Sequence, residues 1–324
     1  MQKSAIVAIM GALLSSLAVA QPNPAPKVPP AIPSVVVGDP GPTGVRIDKD
    51  GVFANFFPAK ARGRRPAILL LGGSEGGLSP GGEGPIKALT AEGFDVLYLC
   101  YFGCPGTPHQ LVAVPLETFD RALAFLRRQT GVDPNRIGVV GGSKGGEAAL
   151  LVATRQPRLK AVVVGMPSSV AWPGVTNSLT MQPSWTSGGA PVPFLPYAFA
   201  SYAKAGIFGL YNDALPTLAQ HPEAAIPVEQ VAGPIMLVCG EADTLWPSCT
   251  MADQISRRLT SRGRPAPTVL RYADAGHQVF GPPVQNTNSN DWLASLGGTV
   301  NGNATARADG WPKVVAFLKI KLRP

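Results

Sequence analysis

Ser143, His277 and a handful of carboxylates are the residues whose types and spacing could do chemistry in this chain. Ser143 stands at the apex of Gly141-Gly142-Ser143-Lys144-Gly145. Glycines two places before and two places after a serine suit a sharp turn in which neighbouring backbone approaches without Cβ clashes, leaving the hydroxyl exposed to a base. A serine hydroxyl is a weak nucleophile, so it needs that base within hydrogen-bond reach and a carboxylate to orient it. The chain has three histidines. His277, in Ala275-Gly276-His277-Gln278, follows a short apolar run, whereas His109 lies in a proline-rich loop and His221 precedes Pro222. His277 is therefore the expected base. Its carboxylate should lie between serine and histidine in chain order. Asp243, just past the apolar run Ile235 to Val238, is the first choice, with Glu241 and Asp274 as rivals.

Acyl chemistry at Ser143 would also need donors for a developing oxyanion. One should be the backbone N–H of Lys144, next to the serine. The other should come from Gly72-Gly73-Ser74-Glu75-Gly76-Gly77, through the N–H of Ser74 or of its neighbour Gly73. This loop lacks the lysine and hydroxyl of a phosphate-cradling loop. No metal-ligand spacing appears, so no metal and no cofactor is expected.

These residues must be placed by an alternation of short apolar runs and helical segments, which is the pattern of a mostly parallel sheet covered on both faces. Strands are expected at Ala67 to Leu71, Asp95 to Tyr101, Ile137 to Val140, Ala161 to Gly165, Ile235 to Cys239 and Thr268 to Arg271. Val45 to Ile47 and Val52 to Phe57 read as an antiparallel start around Asp50-Gly51. Helices are expected at Pro85 to Ala91, at Glu117 to Gln129, directly after Ser143, and from Trp311 to Leu322. Eight strands in this order fit an α/β-hydrolase sheet, an α/β fold. Between Pro167 and Pro234, after the sixth strand, the alternation lapses into an aromatic-rich insertion. Its aromatics either wall a substrate pocket or pack a small core of their own. Trp172, Trp185, Trp246 and Tyr101 are the candidate pocket residues.

Residues 1–20 read as a signal peptide: Lys3, an apolar stretch from Ala5 to Leu17, and Ala18-Val19-Ala20 before the cleavage point. Residues 21–33 carry six prolines and read as a linker. Residues 34–324 remain for a single domain. An exported, periplasmic or extracellular protein is expected, with no stable membrane insertion once the signal is removed. Four cysteines in such a setting suggest disulfides. The local pairs Cys100 with Cys104 and Cys239 with Cys249 are favoured. The formal charge of +8 is spread over scattered basic residues in a chain only 15% charged. No basic stripe is interleaved with aromatics, which argues against nucleic acid as a partner.

The motifs Leu71-Gly72-Gly73-Ser74-Glu75-Gly76-Gly77, Gly142-Ser143-Lys144-Gly145-Gly146-Glu147, Asp243-Thr244-Leu245-Trp246-Pro247-Ser248 and Gly276-His277, taken in order, resemble one family. It is the C-terminal catalytic domain of the acyl-CoA thioester hydrolases and bile acid-CoA:amino acid N-acyltransferases, a dienelactone-hydrolase-like group. The resemblance runs from about Ala67 through Asn303 to Trp311 and the final helix, and it implies the same roles for Ser143, Asp243 and His277. The acyltransferases of that family use a cysteine nucleophile and the thioesterases a serine, so Ser143 resembles the hydrolytic branch. Glu147 also fits the family pattern. Residues 21–65 are too short and proline-rich for the family's additional N-terminal β-domain. The expectation is a serine hydrolase acting on a small-molecule acyl ester or thioester; the alternatives are an acyltransferase passing the acyl group to an amine or alcohol, and a hydrolase-like binding protein without turnover.

Overall fold

A computed structural model describes residues 35–176, 180–284 and 291–323. The signal peptide and linker expected at residues 1–33 lie outside the described residues. The elements, in chain order, begin with β1 (Val45–Lys49), β2 (Val52–Phe57), β3 (Arg65–Leu71), α1 (Glu83–Ala91) and β4 (Asp95–Cys100). They continue with β5 (Val114–Pro115), α2 (Glu117–Arg128), β6 (Val132–Gly142), α3 (Lys144–Arg155) and β7 (Ala161–Gly165). The last group is β8 (Trp185–Ser187), β9 (Ala190–Pro191), α4 (Tyr202–Asn212), β10 (Ile235–Gly240), α5 (Ser248–Ser261), β11 (Thr268–Tyr272) and α6 (Val300–Lys321).

Eight strands form one sheet in the order β1-β2-β4-β3-β6-β7-β10-β11. β2 runs antiparallel to both β1 and β4, and every pair from β4 to β11 is parallel. The central strands are apolar on both sides because both faces are covered. Side chains alternate across the pleat, so Leu69, Leu97, Val139, Val162 and Leu237 face one layer while Ile68, Val96, Val140, Val163 and Met236 face the other. The first layer is built by α2, α3 and α5 through residues such as Phe119, Leu123, Ala149 and Ile255. The second is built by α1 and α6 through Ile86, Leu89, Val314 and Leu318. This is the α/β-hydrolase sheet expected from the sequence.

Two parts differ from expectation. The closing helix begins at Val300, not at Trp311, with the Thr299 hydroxyl accepting the Gly302 N–H at 2.8 Å and Pro312 lying inside the helix. A proline at the second residue of an apolar-periodic stretch reads as a helix start. The preceding Asn- and Gly-rich turns have weak helix propensity, and tertiary contacts override it. The insertion, for its part, holds more structure than its composition suggests. β8 pairs with β5 and β9 in a three-stranded sheet, and Trp172, Leu195, Tyr211, Leu215 and Trp246 form a separate apolar cluster.

Candidate active site

The turn at Ser143 is sharp because β6 runs straight into α3. Ser143 adopts φ 54° and ψ −127°, a region non-glycine residues rarely occupy. Its backbone N–H donates to Gly165 O at 3.0 Å, tying the turn to the neighbouring strand end. The flanking glycines are sterically required. A Cβ at Gly145 would sit 2.2 Å from Gly72 O, and one at Gly141 2.2 Å from Gly145 O. The glycine spacing thus lets the β3 loop pass directly under the start of α3.

His277 is buried on the loop after β11, with Nε2 3.0 Å from Ser143 Oγ and Nδ1 2.9 Å from Asp243 Oδ2. Asp243 is buried after β10, and its other oxygen accepts the N–H groups of Leu245 at 3.0 Å and Trp246 at 3.2 Å. The rivals stand apart from His277: Glu241 and Asp274 are exposed, and Glu241 bonds Arg271 at 3.2 Å. The histidine loop is held from α6. Buried Asn303 accepts the Gly276 N–H at 3.0 Å and donates to Gly297 O at 3.1 Å, while the His277 N–H donates to Leu296 O at 3.0 Å. Asn303 was legible only as part of the family resemblance; nothing in its local sequence marks it as an anchor.

The Lys144 N–H opens α3, where the first N–H groups of a helix have no intrahelical acceptor. In the β3 loop, the Gly73 N–H donates to Glu75 Oε1 at 2.9 Å, whereas the Ser74 N–H has no hydrogen-bond partner among the described residues. Of the two candidate donors from this loop, Ser74 is therefore the one left available. Tyr101 braces the loop from below, its hydroxyl reaching Gly72 O at 2.6 Å and Gly73 O at 3.1 Å.

The side chain of Lys144 points the other way, into the interior. Its Nζ bonds both oxygens of Glu147 at 2.9 Å and Ser184 Oγ at 2.8 Å. Glu147 Oε1 in turn accepts the Trp172 N–H at 3.1 Å and the Trp185 indole N–H at 2.6 Å. Burial pulls the Lys144 pKa down and pushes that of Glu147 up, and each partner opposes the other's shift. This network joins the first turn of α3 to the insertion.

The four aromatic residues expected in the pocket are instead core. Trp172 and Trp246 lie in the insertion's own cluster, and Trp185 and Tyr101 in the layer under α2 and α3. All four are buried. Each indole or phenol ring carries more apolar surface than an aliphatic side chain and gains most when that surface is removed from water. Trp246 does reach the site indirectly, packing edge-on against the His277 ring at 5.5 Å. The two local disulfides are formed, Cys100–Cys104 and Cys239–Cys249.

A cavity of about 310 Å³ opens at Ser143 and His277. Its walls come from Tyr98, Met166, Leu245, Phe280, Trp292 and Arg307, with Glu75 at the β3 loop. The sequence reading missed these lining residues because they are contributed singly by distant elements. Arg307 was hidden further by the late start assigned to α6.

Comparison with known proteins identifies the family and the fold. A family model described as "BAAT / Acyl-CoA thioester hydrolase C terminal" matches residues 114–324. Acyl-coenzyme A thioesterase 1 of Mus musculus is 30% identical over 290 residues, covering 87% of this chain and 66% of its own length. Mitochondrial acyl-coenzyme A thioesterase 2 of Mus musculus is 29% identical over 288 residues, covering 87% and 61%. The chain thus spans a little under two thirds of the length of these relatives. Among solved structures, the thermophilic carboxylesterase EstE1 from a metagenomic library superposes with a TM-score of 0.53 at 18% identity, covering 87% of this chain and 89% of its own. That likeness speaks to the fold, and the matched sequence to descent: the chain belongs to the BAAT / acyl-CoA thioester hydrolase C-terminal family.

Proposed function

We propose that this protein is a serine hydrolase that cleaves a carboxylic ester or acyl thioester through an acyl-enzyme. The observation that carries the reading is His277 standing between Ser143 and Asp243 at 3.0 Å and 2.9 Å. In this reading Asp243 accepts the Nδ1–H of His277 and fixes the tautomer, leaving Nε2 to take the Ser143 proton. Ser143 Oγ attacks the acyl carbonyl, and the N–H groups of Lys144 and Ser74 stabilise the tetrahedral oxyanion. Collapse expels the alcohol or thiol, which takes the proton from His277. Water, deprotonated by His277, then attacks the acyl-enzyme and releases the acid with Ser143 restored.

Two disulfides beside this site support the further reading that the protein works in an oxidising, extracytoplasmic compartment, as the N-terminal sequence suggests. No helix among the described residues is long and apolar enough to cross a membrane.

The test is covalent labelling with a neutral aryl phosphonate, followed by turnover of a short aryl ester and the matched acyl-CoA. Wild type should label at Ser143 and turn over at least one substrate, and Ser143→Ala should do neither. Retention of most activity by Ser143→Ala would overturn the assignment. Ester turnover without CoA turnover would identify an esterase; strong CoA turnover, a thioesterase.

A further inference from the structure

Arg307 lines the same cavity as Ser143 and His277 but has no counter-ion. Arg65 is paired with Asp95, Lys144 with Glu147 and Arg258 with Glu229; Arg127 and Arg264, part-buried like Arg307, also lack a carboxylate, but neither lines this cavity. Every one of the chain's 20 aspartates and glutamates falls within the described residues, and none lies within ion-pair distance of Arg307. Its Nε donates to Pro282 O at 3.0 Å, and Nη1 to Phe280 O at 2.7 Å and Gln278 O at 3.3 Å. Nη2 makes no hydrogen bond among the described residues and lies over Gly281, which also lines the cavity and has no side chain to cover it. Trp292 packs on the guanidinium at 5.4 Å. Burial lowers the Arg307 pKa with no charged neighbour opposing it, yet an arginine so placed stays cationic at neutral pH.

A half-buried guanidinium held rigidly by carbonyls, with one face of its fork open and no carboxylate of its own, is an unsatisfied charge in the wall of the cavity. We propose that the substrate carries a carboxylate near its scissile carbonyl and that Arg307 binds it. This deepens the hydrolase reading of Ser143, on which it rests. The anion belongs to the acyl side. A phosphate on a coenzyme A leaving group sits at the far end of a long pantetheine arm, and the cavity shared by Ser143 and Arg307 is only about 310 Å³. Glu75, also in the cavity lining, would repel the same carboxylate, which leaves Arg307 as its partner there. The substrate class is the monoester or monothioester of a small dicarboxylic acid.

The experiment compares p-nitrophenyl hydrogen glutarate with neutral p-nitrophenyl pentanoate in wild type, Arg307→Met and Arg307→Lys. Wild type should favour the anionic ester in kcat/KM, and Arg307→Met should lower that preference by roughly 10- to 100-fold, the range of a charge-assisted hydrogen bond. Arg307→Lys should fall between. A wild-type preference at or below one overturns the proposal. So does Arg307→Met lowering both rates while leaving their ratio intact, which is the mark of a brace for the 278–282 loop. A preference seen only with neutral acyl-CoA and lost in Arg307→Met would move the anion to the leaving group and also overturn it. Phosphonate labelling of Ser143 in the same samples reads the hydrolase assignment separately. Thermal shift with glutarate reads the subsite without turnover: it should raise the melting temperature of wild type and not of Arg307→Met, whereas glutaramide raises neither.

Discussion

Glu147→Gln tests whether the buried ion pair behind Ser143 holds the nucleophile turn to the insertion. Lys144 and Glu147 are almost wholly buried, at 2% and 0% side-chain exposure, and Glu147 accepts four hydrogen bonds within 3.1 Å from three donors. A glutamine can still accept from the Trp172 and Trp185 N–H groups through its carbonyl. Its NH2 would then face the Lys144 ammonium, leaving a buried cation without a counter-charge. Breaking a buried pair in this way costs about 3–5 kcal/mol. For a domain of this size the corresponding fall in melting temperature is roughly 5–8 °C. Urea unfolding followed by circular dichroism measures the loss. Combining Glu147→Gln with Lys144→Met removes the stranded cation while keeping an acceptor for both N–H groups, and should recover at least half of it. A single-variant loss below about 1 kcal/mol, or a double variant less stable than the single, would refute the reasoning.

Asp243→Asn should lower kcat by roughly 10³- to 10⁴-fold with little change in KM, by analogy with loss of the orienting carboxylate elsewhere; Glu241→Gln and Asp274→Asn, both exposed, should stay within about threefold in the same ester assay. Replacing Cys239 and Cys249 together by serine should cost about 2–3 kcal/mol in urea unfolding, because the bridge closes the short loop that carries Asp243. Tyr101→Phe removes the hydroxyl that spans Gly72 O and Gly73 O, and should cost about 1 kcal/mol while lowering kcat more than it changes KM. An unchanged kcat in Tyr101→Phe would mean the loop keeps its shape without that brace.

What was legible in the sequence follows from how local its cause is. The strands of the sheet declare themselves by short apolar runs, and Gly141 and Gly145 mark the turn at Ser143 because only glycine avoids contacts of 2.2 Å there. Asp243 and His277 could be placed by strand ends alone, since a parallel sheet delivers the loops after its strands to one edge. The start of α6 was missed because Pro312 gives a strong local signal, whereas Val300 to Gly310 is helical for tertiary reasons such as the Asn303 bridge to the histidine loop. Composition leaves the aromatic residues open between pocket wall and core. Composition cannot distinguish an indole that faces a ligand from one that faces another indole. Trp172 stacks on Tyr197 and meets Tyr211 edge-on, contacts between residues 25 and 39 positions apart that no spacing rule reveals.

The burial of these aromatic residues explains how the work is divided around the site. The insertion is tied to the first turn of α3 through Glu147, Trp172, Trp185 and Ser184, so its aromatic mass supports the turn from behind instead of covering it. A segment bound to a fully buried ion pair cannot swing away without exposing that pair, which makes it a poor lid and a good brace. Selectivity must then reside in the walls the insertion does not supply. Those include the β3 loop with Glu75, and Phe280, Trp292 and Arg307. Glu75 and Arg307 carry opposite charge, and the proposed nucleophile shares their cavity. A neutral, symmetrical acyl group gains nothing from that polarity, whereas one with an acid at its far end is oriented by it before the chemistry begins.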